Sequence, residues 1–357
     1  MVWNRLFGKI VRLMTNTNKI QRIAVIGTGY FSQFHYDAWR RLKVNLVGVC
    51  SLDQKKARLI ASSFKNCNFF FDFEKMIKLT NPTLIDIITP PTEHLKIIKK
   101  ISKYGIDIIC QKPFTNSLEE AKSVLDLAKK SGIKIIVHEN FRFQPWHIQI
   151  KKMLKDKIIG KPFQITFKMR PGDGRGQNAY LNRQPYFQKM KKFLIHETGI
   201  HFIDLYRFFF GEINSVAAFL FKLNKNIQGE DQGFVIFQFK NGIKGIFDAN
   251  RLSDHIADDR RLTIGDLFLE GEKGTIRLDG NGNIFFRKFL SNNEKKINYS
   301  WSNKGFAGDS VYFFQKHVIE QLNKNKTINS QIEKYLINIK IEEAIYNSNR
   351  LKKTILI

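Results

Sequence analysis

Two histidines and a glutamate lie close together in the apolar segment LIHETGIHFIDLYRFFFG, positions 194–211. His196 and His201 are five positions apart, so at about 100° per residue they point roughly 140° apart around a helix and cannot bind one metal ion. Zinc helices of the H-E-x-x-H type place both histidines on one face. Glu197 and His201 do share a face, and a carboxylate beside an imidazole suits acid–base chemistry because it orients the ring. The alternative is a buried histidine that is hydrogen-bonded to its neighbours.

The charge balance and the cysteines restrict the class of protein. The 357 residues carry 59 lysines and arginines against 32 aspartates and glutamates, a formal net charge of +27. The basic residues are spread along the chain without a long cluster, which is typical of a solvated surface and not of a nucleic-acid-binding face. The three cysteines form no C-x-x-C pair, which argues against a disulfide framework and suits a reducing cytoplasm. No apolar stretch approaches the ~18 residues of a membrane span, so we expect no membrane and no nucleic-acid partner.

The first twenty residues, MVWNRLFGKIVRLMTNTNKI, are basic but lack the continuous apolar core of a signal peptide. We therefore expect residues 1–20 to form an N-terminal extension. Whether Met1 or Met14 is the true start stays open.

The first half of the chain alternates between short apolar runs and helical patterns. This alternation predicts a parallel, doubly wound sheet, a Rossmann domain over residues 21–140. The predicted strands are 22–26, 44–49, 84–89, 106–110 and 133–138, and the predicted helices include about 53–64, 92–104 and 117–131.

The pattern changes after residue 140, where strand-like runs follow one another with turn pairs such as Asn-Gly between several of them. We expect an α+β domain over residues 141–357, built on a large, mostly antiparallel sheet. Its last two helices, about 308–323 and 329–350, are expected to pack back on the first domain. The predicted strands are 162–170, 215–221, 233–239, 243–249, 264–270, 274–279 and 283–288.

The segment GTGYF at 27–31 follows the first strand and opens a helix, which is the context that a dinucleotide fingerprint requires. The first glycine permits a tight turn, and the second lets the backbone approach a pyrophosphate at the helix N-terminus. Ser32 replaces the usual third glycine and is still small. The cofactor-binding candidates here are Gly27, Thr28, Gly29, Tyr30 and Phe31.

The end of the second strand normally carries an acid that binds the ribose 2′-hydroxyl of NAD. Ser51 occupies that position here, and Lys55 and Lys56 follow closely. A hydroxyl with cations nearby accepts a 2′-phosphate, whereas a carboxylate repels it. The sequence thus favours NADP slightly, with Ser51 and Lys56 as candidates, while Asp53 keeps NAD open.

Other polar residues lie at the predicted carboxyl ends of strands, where ligands of such sheets bind. They belong to the segments TPPTEH at 89–94, CQKP at 110–113 and ENFRF at 139–143. Lys112 is placed to reach a cofactor or substrate, unless it is an ordinary surface lysine. The cofactor-binding candidates of this group are Thr89, Pro90, His94, Gln111, Lys112 and Asn140.

Five segments in order resemble the Gfo/Idh/MocA family, which includes glucose–fructose oxidoreductase and inositol 2-dehydrogenase. They span about residues 20–350 and read AVIGTGYFSQFH, ITPPTEH, CQKPF, ENFRFQP and HETGIHFIDLYRFFFG. The resemblance implies that Lys112, Glu197 and His201 correspond to the family's catalytic lysine, aspartate and histidine. Two positions depart from its usual pattern: Gln111 replaces a glutamate, and Glu197 replaces an aspartate. The chain is also similar to a branch that contains D-apiose dehydrogenases.

The resemblance implies reversible hydride transfer between NAD or NADP and a carbinol carbon of a sugar or polyol, such as an aldose, an apiose-like sugar or an inositol. His201 takes the hydroxyl proton, and Lys112 hydrogen-bonds the same oxygen. Glu197 either orients His201 or binds a neighbouring substrate hydroxyl. No metal is needed. The alternative is a non-catalytic NAD(P)-binding sensor, but the presence of both Lys112 and His201 favours an enzyme.

Substrate choice is expected to lie in the second domain. The stretch 170–187 is rich in Arg, Tyr and Gly and forms either a flexible lip or an ordinary surface loop. If the helix begins only near Thr198, extended residues before it send His196 and Glu197 to opposite sides, and we choose Glu197 for the pocket. The substrate candidates are Arg170, Tyr186, His196 and Glu197. We expect a homodimer or homotetramer that assembles through the C-terminal sheet.

Overall fold

The computed structural model describes residues 21–357, so the expectations for residues 1–20 and Met14 lie outside the described residues. Its first sheet has six parallel strands in the order β3-β2-β1-β4-β5-β6. Their bounds are β1 (Arg22–Ile26), β2 (Asn45–Cys50), β3 (Asn68–Phe70), β4 (Leu84–Ile87), β5 (Asp107–Gln111) and β6 (Ile135–His138). This order confirms the predicted doubly wound sheet, with its switch point between β1 and β4.

Helices connect these strands. Aspartates cap two of them, since Asp53 and Asp72 accept hydrogen bonds from backbone N–H groups in the first turn of the following helix. Their bounds are α1 (Ser32–Arg41), α2 (Gln54–Ser62), α3 (Phe73–Thr80), α4 (Pro91–Ile101), α5 (Leu118–Ser131) and α6 (Pro145–Lys155). The sequence analysis missed β3, α3 and α6. β3 is a three-residue edge strand without a fully buried residue, so it carries no apolar pattern that would reveal it.

The second sheet has nine strands in the order β14-β13-β12-β11-β7-β10-β9-β8-β15. Only β7 and β10 pair in parallel among these neighbours, which confirms the predicted mostly antiparallel sheet. Their bounds are β7 (Pro162–Met169), β8 (Ile213–Phe221), β9 (Gln232–Phe239), β10 (Lys244–Asn250), β11 (Gly265–Gly271), β12 (Gly274–Leu278), β13 (Ile284–Lys288), β14 (Glu294–Lys296) and β15 (Ile355–Leu356).

Three further helices, α7 (Ile200–Phe210), α8 (Ser310–Asn323) and α9 (Ile332–Leu351), complete the fold. α7 lies on the buried face of the second sheet, where Phe202 packs against Phe167 and Phe247 with ring centroids 4.3 and 4.6 Å apart. α9 contacts both α7 and β8. The opposite face of this sheet is open and carries exposed apolar side chains, namely Phe219, Phe221, Phe234, Ile236 and Phe268.

The C-terminal helices also contact the first sheet's layer. α8 packs against α1, and α9 packs against α5 and β6. Arg41 at the end of α1 donates two hydrogen bonds to the carboxylate of Asp309, the residue before α8. These contacts hold the two sheets in one arrangement. The division at residue 140 stays a prediction, because α6 lies between β6 and β7 along the chain and belongs to neither sheet.

Candidate active site

A cavity of about 330 Å³ opens beside the carboxyl ends of the first sheet's strands. Both halves of the chain contribute to its walls. Among the residues selected from the sequence, the structure brings these to the cavity: Gly29, Tyr30, Phe31, Thr89, Pro90, Gln111, Lys112, Asn140, Tyr186, Glu197 and His201. The lining does not include the others, which are Gly27, Thr28, Ser51, Lys56, His94, Arg170 and His196.

The glycine-rich turn between β1 and α1 fits a dinucleotide. Gly27 has a φ of +118°, and a Cβ atom there would lie 2.5 Å from the carbonyl oxygen of Ile88, so only glycine fits. Gly29, in contrast, has no atom within 4 Å of the place where a Cβ atom would stand. That open space, together with a helix whose first turn carries no acidic residue, suits a phosphate group.

The end of β2 places a hydroxyl beside this turn. Ser51 Oγ lies 2.6 Å from Thr28 Oγ1, so the two hydroxyls are hydrogen-bonded. The carboxylate of Asp53 is engaged in capping α2, because it accepts a hydrogen bond of 3.0 Å from the backbone N–H of Lys56 and lies 3.4 Å from that residue's ammonium group. The backbone hydrogen bond from Lys56 lowers the pKa of Asp53. Ser51, and not Asp53, therefore faces the turn.

Two further cofactor candidates, His94 and Asn140, hold neighbouring segments together near the cavity. His94 is fully buried, and its two ring nitrogens lie 3.1 and 2.9 Å from the carbonyl oxygens of Phe114 and Thr89. It joins the loops that follow β4 and β5 without lining the cavity. Asn140 lines the cavity and donates a hydrogen bond of 2.7 Å to Ser310 Oγ at the start of α8.

Lys112 and Glu197 meet at the floor of the cavity. Lys112 Nζ donates to the carboxylate of Glu197 at 2.5 Å and to the backbone carbonyl of the same residue at 2.7 Å. Lys112 is therefore not an ordinary surface lysine. An ammonium group has three N–H donors, so one N–H remains for a ligand in the cavity.

Arg251 at the end of β10 holds the other oxygen of Glu197, at 2.8 Å. Burial alone would raise the pKa of Glu197, but the charges of Lys112 and Arg251 outweigh it and hold the pKa well below its ordinary value. Thr198 Oγ1 also donates to the carboxylate. Glu197 is thus a fixed carboxylate ion at neutral pH.

Arg251 extends this series of charged groups to the stretch 170–187. Its Nη1 lies 3.1 Å from the carboxylate of Asp173, which also accepts a hydrogen bond of 3.0 Å from Arg183. Cations and carboxylates therefore alternate across the cavity in the order Lys112, Glu197, Arg251, Asp173 and Arg183; we call this the charge ladder. The sequence analysis missed Arg251 and Asp173, because nothing in their local pattern reveals partners so distant in the chain.

His201 is oriented by Glu139, not by Glu197. Its Nδ1 lies 2.6 Å from the carboxylate of Glu139, and its ring stacks on Phe141 at 3.8 Å. Burial would raise the pKa of Glu139, but the interaction with His201 outweighs it and lowers the pKa below its ordinary value. The sequence-based alternative in which Glu197 orients His201 is therefore wrong: Glu197 is occupied by Lys112 and Arg251.

Glu139 itself was not selected from the sequence, although it directly follows β6 in the quoted ENFRF segment. It is fully buried, and its second oxygen accepts a hydrogen bond of 3.1 Å from the hydroxyl of Tyr335 on α9. The available signal in the sequence was an acidic residue directly after the carboxyl end of an apolar strand. The Nε2 atom of His201 has no hydrogen-bond partner within residues 21–357, and the histidine lines the cavity.

The segment before α7 is helical, so residues 194–197 are not extended. Residues Leu194–Gly199 form a wide, π-type turn that runs directly into α7. In this turn His196 points away from the cavity. Its Nδ1 lies 2.7 Å from the carboxylate of Glu342 on α9. Of the two neighbours, Glu197 is the one in the cavity, as chosen from the sequence. His196 instead anchors α9.

The predicted lip, residues 170–187, divides into two parts. Arg170 is paired with Asp248 at 2.7 Å and does not line the cavity. Tyr186 does line it, with its hydroxyl 3.2 Å from the amide nitrogen of Gln184. Burial raises the pKa of Tyr186, so the phenol stays protonated and can donate a hydrogen bond.

No group of three or more His, Cys, Asp and Glu side chains is arranged to hold a metal ion within residues 21–357. In the same part of the chain, no helix is long and apolar enough to cross a membrane.

Comparison with protein families gives two adjoining matches. Residues 21–139 match the oxidoreductase family with an NAD-binding Rossmann fold, GFO_IDH_MocA. Residues 147–277 match the GFO/IDH/MocA C-terminal domain.

Two relatives and one solved structure extend these matches. The chain is 28% identical to a D-apiose dehydrogenase of Paraburkholderia graminis over 276 residues, which cover 76% of this chain and 71% of the relative. It is 26% identical to a D-apiose dehydrogenase of Rhizobium rhizogenes, over 93% of this chain and 96% of the relative. An oxidoreductase of Agrobacterium radiobacter, solved with NAD+, L-tartaric acid and magnesium, has the same fold, with a TM-score of 0.83, 24% identity and coverage of 95% and 98% of the two chains.

The charge ladder makes a stability prediction. Replacing Arg251 by Ala leaves the buried Glu197 and the partly buried Asp173 each without one cation, and we expect the free energy of unfolding to fall by about 3–5 kcal/mol. Urea denaturation followed by circular dichroism measures this. The matched control is Arg277→Ala, which removes an exposed pair with Glu294 and should cost less than about 1 kcal/mol. Equal losses in the two variants would contradict a stabilising role of the ladder.

Proposed function

The chain belongs to the Gfo/Idh/MocA family of NAD(P)-dependent oxidoreductases, and from this premise we propose that it is a dehydrogenase of sugars or polyols. It moves a hydride between the cofactor and a carbinol carbon of the substrate. The observation that supports this most is the meeting of Lys112, Glu197 and His201 at one cavity beside the glycine-rich turn. The alternative of a non-catalytic sensor has no observation in its favour.

His201 is the proposed general base. Its Nδ1–H bond to Glu139 leaves Nε2 as the acceptor that faces the cavity. When Nε2 takes the substrate's hydroxyl proton, the imidazolium ion that forms is stabilised by the buried carboxylate 2.6 Å away. Stacking on Phe141 keeps the ring in this orientation. Such positioned proton transfer contributes about 10²–10⁴-fold to the rate.

Lys112 stabilises the developing alkoxide. Glu197 accepts hydrogen bonds from two of its three N–H groups. The third N–H group points along the remaining tetrahedral direction and is available to the substrate oxygen. Glu197 fixes this geometry, because its depressed pKa keeps it an anion that holds the other two N–H groups. The bound nicotinamide supplies the hydride acceptor or donor.

We propose an apiose-like sugar as the substrate class. Both D-apiose dehydrogenases align over most of this chain, and the cavity wall contributes hydrogen-bonding side chains for hydroxyl groups: Asp173, Arg183, Gln184 and Tyr186. Aldoses and inositols have the same chemistry and form the comparison set. Nicotinamide absorbance at constant cofactor, followed across this panel, measures which substrate has the highest kcat/KM.

We propose that the protein forms a homodimer or homotetramer through the open face of the second sheet. Phe219 and Phe234 pair directly across two strands, and both are nearly half exposed, at 49% and 40%. Continuous apolar surface on a sheet face favours burial against a second copy. A monomeric mass in light scattering at micromolar concentration would contradict this assembly.

A cytoplasmic location, consistent with three free cysteines, is also proposed, and cell fractionation tests it.

Lys112→Met and His201→Asn are each expected to lower turnover by at least about 10²-fold, because each removes one side of the proton-transfer arrangement. Cofactor affinity, measured by nicotinamide fluorescence, should stay within a few-fold. The matched controls are Lys100→Met and His196→Asn, which alter residues paired outside the cavity. Near-normal turnover in either active-site variant would refute the catalytic assignment.

NADP is expected to bind at least as tightly as NAD, because Ser51 carries no charge that repels a 2′-phosphate and the cationic Lys56 lies in the first turn of the helix that follows. Dissociation constants from fluorescence titration of both reduced cofactors check this. Ser51→Asp should shift the preference toward NAD, since a carboxylate repels the phosphate. A clear NAD preference that Asp53→Ala abolishes would instead mean that Asp53 leaves its helix cap and binds the ribose.

A further inference from the structure

Arg261 crosses from the second half of the chain to the glycine-rich turn of the first. It lies in the loop between β10 and β11, and its Nη1 donates a hydrogen bond of 2.8 Å to the hydroxyl of Tyr30. The guanidinium carbon lies 5.6 Å from the centre of the Tyr30 ring. Both residues line the cavity.

Arg261 differs from the other arginines of the cavity in its charge partners. Arg183 and Arg251 are both paired with carboxylates of the charge ladder. The guanidinium group of Arg261 has no carboxylate oxygen within 4.0 Å in the described part of the chain. Its own backbone N–H donates to the carboxylate of Asp259 at 2.9 Å, so the loop fixes the residue's position while its guanidinium group forms no ion pair within residues 21–357.

The space in front of Gly29 favours a negative charge. α1 begins there without an acidic residue in its first turn, so the positive end of its dipole is also uncompensated. Phe306, from the second half of the chain, packs against Phe31 with ring centroids 5.1 Å apart and closes another side. Two segments beyond residue 250 thus reach the glycine-rich turn from the second half of the chain.

We propose that Arg261 is a cofactor-binding residue that neutralises the diphosphate bridge of the dinucleotide. The inference rests on the dinucleotide site proposed above. Tyr30 holds the guanidinium group at the cavity's edge, and charge-assisted hydrogen bonds of this kind contribute about 10- to 150-fold in affinity, which is about 1.5–3 kcal/mol. The second half of the chain therefore takes part directly in cofactor affinity, in addition to substrate choice.

The experiment compares Arg261→Gln with Arg260→Gln as a matched control. Both changes remove one arginine from the same loop, but Arg260 is half exposed and paired with Asp254 at 3.1 Å. The full-length variants are titrated with ADP-ribose by calorimetry and with NADH by fluorescence. ADP-ribose carries the diphosphate without the nicotinamide, so it isolates the proposed contact from the catalytic residues.

We expect Arg261→Gln to weaken ADP-ribose and NADH binding equally, by at least about 10-fold, and Arg260→Gln to change neither by more than about twofold. Arg261→Lys keeps the charge and should recover part of the loss. Unchanged ADP-ribose affinity in Arg261→Gln overturns the proposal, and so does a change confined to the substrate KM at saturating cofactor. If the unaltered protein binds neither ligand, the proposed function fails as well, which separates the two outcomes.

Discussion

The charge ladder is the interaction on which the site depends. Charges buried as deeply as Glu197 and Arg251 persist only when each has a partner, since the cost of desolvation exceeds what a single weak contact returns. The ladder takes Lys112 from the end of β5, Glu197 from the turn before α7 and Arg251 from the end of β10. The strand ends of two different sheets and the turn before α7 must therefore meet in one arrangement, and the cavity between the sheets has a fixed floor because of it.

The site holds a second carboxylate, Glu139, whose partner differs from those of Glu197. Glu197 is shared between two permanent cations and remains a fixed anion, whereas Glu139 faces His201, the proposed general base. The same segment anchors the helix that carries this histidine: Arg142 donates two hydrogen bonds to Asp204, one turn further along α7. The base and its orienting acid are thus held by two parallel contacts between the same elements, and small movements of the ring are restricted.

Much of this arrangement could be predicted from sequence, and the remainder could not for physical reasons. Parallel strands are buried on both faces, so continuous apolar runs revealed five of the six, and the fingerprint fixed the turn at Gly27. Glu197 was placed in the pocket, but its partner Arg251 lies 54 positions away, and no local period encodes such a contact. The π-type turn at residues 194–199 places His196 against Glu342 on α9, a partner 146 positions away that no helical period predicts.

The departure at Gln111 follows from the buried network behind Lys112. His35 Nδ1 lies 2.8 Å from the carboxylate of Asp86, which requires Nδ1 to donate and leaves Nε2 as an acceptor. Gln111 meets both demands at once: its amide nitrogen lies 3.1 Å from that Nε2, and its amide oxygen accepts a hydrogen bond of 2.7 Å from the backbone N–H of Lys112. A glutamate here has no donor when ionised, so it would need a doubly protonated His35 between two buried carboxylates. With Asp86 already beneath the histidine, glutamine is the side chain that holds the Lys112 backbone without adding a further charge.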